Sequence, residues 1–282
     1  MSSNNLIANR LKNVKNFFIR SINRRAVKIE KRVRLVISSL IMVFLMIFST
    51  SFYFDKAPIF IAVFTIVGFL VSYFALLEEI EDMDWFGLFF LPIVLTVFFY
   101  LFYFLFPGRW LTRLPFSIFY GISFYAVLLC SNIFNVGVEK SLQLYRAAFS
   151  INYFYLTVVS FLIFNVLFSF KAVFLLNALI VGSSTFFLSI HLFWTIRLKR
   201  HLEREVIIKS AFMALILIET TIITSFVPLR TPIVSLFLTT TFYSLGGLVY
   251  NQIDGKLFKE TTREYIGVWI FVLLITFLSI TW

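Results

Sequence analysis

The chain has 282 residues and a formal net charge of +11; 60% of its residues are hydrophobic, 14% are charged, and the mean hydropathy is +0.94. A soluble globular protein carries roughly 45–50% apolar and about 25% charged residues, so this balance excludes an ordinary soluble domain and indicates a polytopic membrane protein. Two histidines and a single cysteine, Cys130, exclude an intramolecular disulfide and leave little for metal or triad chemistry.

The N-terminal segment, residues 1–33, is strongly basic. Ile7, Leu11, Val14, Phe18 and Ile22 recur at helical spacing, with Arg and Lys on the other faces. The pattern predicts an amphipathic helix on the inner leaflet, held by anionic lipid headgroups. No small-residue cleavage site follows the first apolar stretch, so the segment reads as retained rather than as a secretory signal. Only Phe17 and Phe18 offer base stacking there, and a nucleic-acid partner is not expected.

Residues 34–282 read as the transmembrane domain. A spanning helix needs about 20 mostly apolar residues. The expected spans are 35–54, 57–77, 86–106 and 114–134, followed by an apolar stretch over 148–196 broken only by Lys171. A straight helix over that stretch would reach about 73 Å, more than twice a hydrocarbon core of about 30 Å. It must fold back at Lys171, which makes spans five and six. Span seven is 207–227, closed by Pro228 and Pro232; spans eight and nine are 232–250 and 265–282. The abundance of Phe, 39 residues, reads as lipid-facing bulk and packing, because Phe is favourable at mid-bilayer.

Basic residues orient the bundle. With the N-terminus inside, 20 of the 25 Lys and Arg fall on the inner side; Lys56, Arg109, Arg113, Lys171 and Arg230 remain outside. The expected location is the cytoplasmic (inner) membrane, multi-pass, with the N-terminus cytoplasmic and the C-terminus extracytoplasmic. Every outside loop is short, which argues against enzymes that mount chemistry on a large external loop. No phosphate-binding glycine loop, HExxH or nucleophile elbow occurs in the sequence.

Glu219 is the acid that stands out. It sits within an apolar run with no other charge between residues 211 and 229. A carboxyl group there costs a few kcal/mol and marks a candidate functional site. Depth counting places Ser183, Ser184 and Thr185 of span six at its level, with Thr239, Thr240 and Thr241 of span eight and Thr276 of span nine. Glu219, Ser183, Ser184, Thr185 and Thr240 therefore form a candidate proton or ion site. The plainer alternative is a protonated Glu acting as interhelical glue, with each hydroxyl bonded back to its own helix.

Three further groups have mainly structural readings. Asn165 and Asn177 flank Lys171 at similar spacing, so a tight hairpin would set them level as an interhelical amide pair. His191 lies nearer the inner end of span six than Glu219 lies in span seven, and reads as an interfacial His near Trp194. Glu78, Glu79, Glu81, Asp82 and Asp84 read as a solvated acidic patch facing the basic N-terminal helix, without the turn glycines of a cation-binding loop.

The runs Asn132-Ile133-Phe134-Asn135-Val136 and Leu144-Tyr145-Arg146-Ala147-Ala148 carry a family likeness. So do Glu219 with Pro228, Tyr243-Ser244-Leu245-Gly246-Gly247, and Arg263-Glu264-Tyr265 leading to Trp282. Over about residues 85–282 the chain resembles an uncharacterised family of polytopic membrane proteins, a domain of unknown function found in small-genome, uncultivated bacteria. The resemblance implies membrane architecture and brings no assigned catalytic or binding residues.

The sequence thus predicts an all-α polytopic integral membrane bundle of about nine transmembrane helices, preceded by a basic amphipathic helix. The leading expectation is a non-enzymatic membrane scaffold or assembly component, with a membrane or cytoplasmic protein as partner. The alternatives are a permease or proton-coupled carrier using Glu219, and more weakly a lipid-modifying enzyme at the inner interface. No catalytic residue, metal site or cofactor is expected.

Overall fold

The computed structural model describes residues 29–52, 57–77, 85–105, 110–136, 143–198 and 202–280. The basic segment before residue 29, the acidic patch at 78–84 and Trp282 lie outside the described residues. Among the described residues the chain is all helical: α1 (Lys31–Phe52), α2 (Ala57–Leu76), α3 (Trp85–Tyr103), α4 (Trp110–Asn135), α5 (Gln143–Ser169), α6 (Phe174–Arg197), α7 (Arg204–Ser225), α8 (Thr231–Ile253) and α9 (Lys259–Leu278). All nine are long and apolar enough to cross a membrane. The fold is a polytopic helical bundle, as the composition requires.

Successive helices run antiparallel. The end of the bundle where α1 begins is called here the near face, and the opposite end the far face. Ser38 of α1 donates to the Val71 carbonyl of α2, and Asn135 of α4 reaches the Leu76 carbonyl. Each bond joins residues close to the near face. In the bilayer, helix association depends on packing and interhelical hydrogen bonds, because lipid is as apolar as leucine. Thr96 of α3 and Tyr120 of α4 share such a bond at 2.9 Å.

The turn between α5 and α6 lies where the apolar stretch had to fold back. Phe170 and Lys171 N–H groups bond to the Leu167 and Phe168 carbonyls, and Lys171 takes a left-handed φ of 49°. The turn after α8 uses Gly255 at φ 70°, with Gly255 N–H on the Gln252 carbonyl and Lys256 N–H on the Asn251 carbonyl. That pair of bonds satisfies carbonyls the helix end would leave orphaned, and a glycine is the residue that allows it.

Helices α1 to α4 pack as one group and α5 to α9 as another, with α5 against both α3 and α4. α6 and α7 form the closest pair. α9 rests on α8 and has only Val272 and Thr276 buried. The expected helix boundaries shift modestly: α7 starts at Arg204 rather than 207 and ends at Ser225 rather than 227. Arg34, just after the basic segment, is fully buried in the first turn of α1.

Candidate functional site

The placement of Glu219 follows from the packing of α7. Its buried residues are Val206, Ser210, Met213, Ala214, Leu217, Thr221 and Thr224. They recur at three- and four-residue steps and form one stripe. Glu219 stands two residues from Leu217 and two from Thr221. Two residues turn a helix by about 200°, so Glu219 is on the opposite side. It is exposed. Its companions on that face are Ile208, Phe212, Leu215 and Ile223, each more than half exposed.

The buried stripe is set by α6. Gly182 lies against the side chain of Ile218 and the carbonyl of Ala214; a Cβ at Gly182 would come within 2.4 Å of Ile218 Cδ1. Only a residue without a side chain lets α6 and α7 approach this closely. The contact holds the rotation of α7, and the carboxyl points away from the bundle.

The expected hydroxyl layer does not assemble around the acid. Ser183 Oγ donates to the Ile180 carbonyl at 3.0 Å. Ser184 Oγ bonds to Ile180 at 2.8 Å and to Val181 at 3.0 Å. Thr240 Oγ1 donates to the Leu236 carbonyl at 2.9 Å, and Thr276 Oγ1 to Val272 at 2.8 Å. Thr185 is fully buried and its Oγ1 meets no partner among the described residues. No described side chain hydrogen-bonds to Glu219 or forms an ion pair with it. Equal depth placed these residues at one level; rotation about the helix axes separated them.

Asn165 and Asn177 are both buried, at 7% and 5% exposure, but their amides do not meet. Asn177 Nδ2 instead donates to the Ala172 carbonyl at 3.1 Å, in the turn that precedes α6. Its Oδ1 is left without a partner among the described residues.

His191 lies beside Trp194 as expected, and it is enclosed by protein. It is 1% exposed, and its Nε2 lies 3.3 Å from Asn152 Oδ1 of α5. Its ring packs beside Phe90 of α3, centroids 5.6 Å apart, and Trp194, 6.1 Å away. His191 Nδ1 and Asn152 Nδ2 have no partner among the described residues. Tyr145 donates to the Thr195 carbonyl and Tyr153 to the Tyr243 carbonyl. Tyr153 also stacks on Tyr243 at 5.2 Å, and Phe149 on Tyr250 at 4.1 Å. A buried polar and aromatic cluster thus joins α5, α6 and α8 in the near half of the bundle.

Sequence reasoning missed this cluster. The available signal was Asn152, an amide in an apolar span at a depth comparable to His191 on the neighbouring antiparallel span. Among the described residues, no three His, Cys, Asp or Glu side chains converge as metal ligands. No protein-family pattern, curated protein or solved structure matches the chain.

Proposed function

We propose that this protein is a non-enzymatic membrane assembly component, a scaffold that presents the outer face of α7 to a partner helix. The observation that supports the reading is the direction of Glu219. Ionisable groups inside a membrane almost always face a bundle interior or a water-filled cavity. Among the described residues Glu219 is exposed, on the side of α7 away from its buried stripe. A partner helix set on Ile208, Phe212, Leu215 and Ile223 would turn that face into an interior. The carboxyl would then hydrogen-bond across the interface, an interaction worth about 0.6 kcal/mol on average in membranes.

The test is co-purification from native membranes with wild type, Glu219→Gln and Glu219→Leu. Gln keeps the hydrogen-bonding capacity and retains the partner; Leu recovers roughly threefold less of it. A partner set unchanged in Glu219→Leu overturns the reading.

A proton-coupled carrier is the second reading, and its support lies away from Glu219. The buried His191–Asn152 pair, with a free acceptor or donor on each side chain, is the feature that favours it. Loss of substrate accumulation in His191→Phe, in a variant that still inserts and folds, would support the carrier. Unchanged accumulation would remove it.

The proposed location is the cytoplasmic membrane of a bacterium, with the near face cytoplasmic, supported by the 20 of 25 Lys and Arg expected on that side. The basic N-terminal segment would then meet anionic lipid or a cytoplasmic partner. A cytoplasm-active reporter fused after Trp282 should be silent; activity there reverses the orientation of the last span.

A further inference from the structure

At the far face, a crevice of about 450 Å³ opens between the α5–α6 turn, the end of α7 and the start of α8. We propose that it binds a phosphodiester whose headgroup carries a hydrogen-bond donor, as hydroxyl- or amine-bearing lipids do.

Positive potential comes from three sources around the crevice. Lys171 is exposed on the α5–α6 turn, and its ammonium has no carboxylate partner among the described residues. Phe174 and Thr231, the first residues of α6 and α8, both line the crevice. Neither helix has a side-chain cap at that end. The first-turn N–H groups of α6 and the dipoles of both helices favour an anion there; α8 adds mainly its dipole, because Pro232 has no N–H and Ile233 N–H bonds to the Arg230 carbonyl.

The second requirement comes from the acceptors. Asn177 lines the crevice at 5% exposure. Its Nδ2 is committed to the Ala172 carbonyl, which fixes the amide orientation and leaves Oδ1 as a buried acceptor without a partner. A buried acceptor left unmade costs about 1–3 kcal/mol. Thr224 and Ser225 donate their hydroxyl protons to the Thr221 carbonyl, at 3.1 and 2.7 Å. Their oxygens are therefore also left to accept.

A bare phosphate would use the cation and the helix ends but repel these acceptors. A choline headgroup has no donor for them. Glycerol or ethanolamine supplies phosphate and donor together. Phe168, Val227, Leu229 and Val234 give the remaining wall an apolar character, and the helix ends place the crevice at headgroup depth.

Phosphatidylglycerol, phosphatidylethanolamine and phosphatidylcholine of identical chains should be offered to the full chain in detergent, with retention read by native mass spectrometry. The expected order is glycerol and ethanolamine lipids above choline lipid by roughly fivefold, the scale of one hydrogen bond. Asn177→Leu should bring all three to the choline level. Lys171→Gln, an exposed substitution that leaves the core untouched, should lower all three by roughly fivefold as one charge-assisted contact is lost. Equal retention of the three lipids by wild type overturns the proposal. So does full retention in Lys171→Gln. Glycerol 3-phosphate is the soluble arm: displacement of bound lipid at millimolar concentration assigns the site to a free ligand of the same chemistry, and no displacement assigns it to the lipid.

Discussion

Gly182 of α6 receives the side chain of Ile218 of α7, at a separation that leaves no room for a Cβ. Ile218 precedes Glu219, so this one contact sets which way the acid points. The packing of two helices through their smallest residue decides whether the only acid in that apolar run serves the interior or the surroundings.

Substituting Gly182 should therefore act on both stability and direction. Gly182→Val is expected to destabilise the α6–α7 pair by about 1–3 kcal/mol, the range for forced overpacking. Ile218→Ala should recover part of that loss, because it vacates the space the valine needs. A double-mutant cycle read by unfolding in mixed micelles measures the coupling; additive losses would show that the contact is not the pivot.

An outward acid in a bilayer has a chemical signature. A hydrophobic carbodiimide dissolves in lipid and reacts with protonated carboxyls it can reach. It should modify Glu219 in the isolated chain after reconstitution, and the adduct should vanish in Glu219→Gln. Mass mapping of the α7 peptide checks this. An unmodified Glu219 would mean that the carboxyl is turned inward.

The His191–Asn152 pair should behave as a unit. Either His191→Phe or Asn152→Leu strands a buried polar partner and is expected to cost about 1–3 kcal/mol. The double variant replaces both polar groups by apolar ones and should cost less than the two single losses added together. Melting temperatures of the four proteins in one detergent decide the matter.

Helix α9 is tied to α8 by few groups. Trp269 Nε1 donates to Thr241 Oγ1 at 3.0 Å, and Gly247 sits under the ring of Tyr265. Trp269→Phe removes the hydrogen bond but keeps an aromatic ring. It should loosen α9 by about 1 kcal/mol. Faster hydrogen exchange confined to α9 is the expected readout; uniform change across the bundle would contradict it.

Much of the fold was legible along the chain. The turn at Lys171 followed from length, since no helix of that span fits one bilayer, and from the one charge in the stretch. The end of α7 and the start of α8 followed from Pro228 and Pro232. The candidate site was read from depth alone: counting residues along antiparallel helices sets Ser183, Ser184, Thr185 and Thr240 at the level expected for Glu219, and such counting says nothing of rotation. A partial guide to rotation was also present, for Ser210, Ala214, Thr221 and Thr224 mark the packed side of α7 by their small size. In a membrane, small and hydroxyl-bearing residues mark the interior better than large apolar ones do.

Hydropathy and length, properties of the chain taken one residue at a time, determined that this protein is a bundle of membrane-spanning helices. Tertiary structure alone decided that Glu219 faces outward, that His191 is buried against Asn152, and that Asn177 lines a crevice instead of pairing with Asn165. The physical reason is that lipid and protein interior are almost equally apolar. The rotation of a helix in the bilayer is therefore weakly encoded in its own hydrophobic pattern, and is set by where a neighbouring helix can come close.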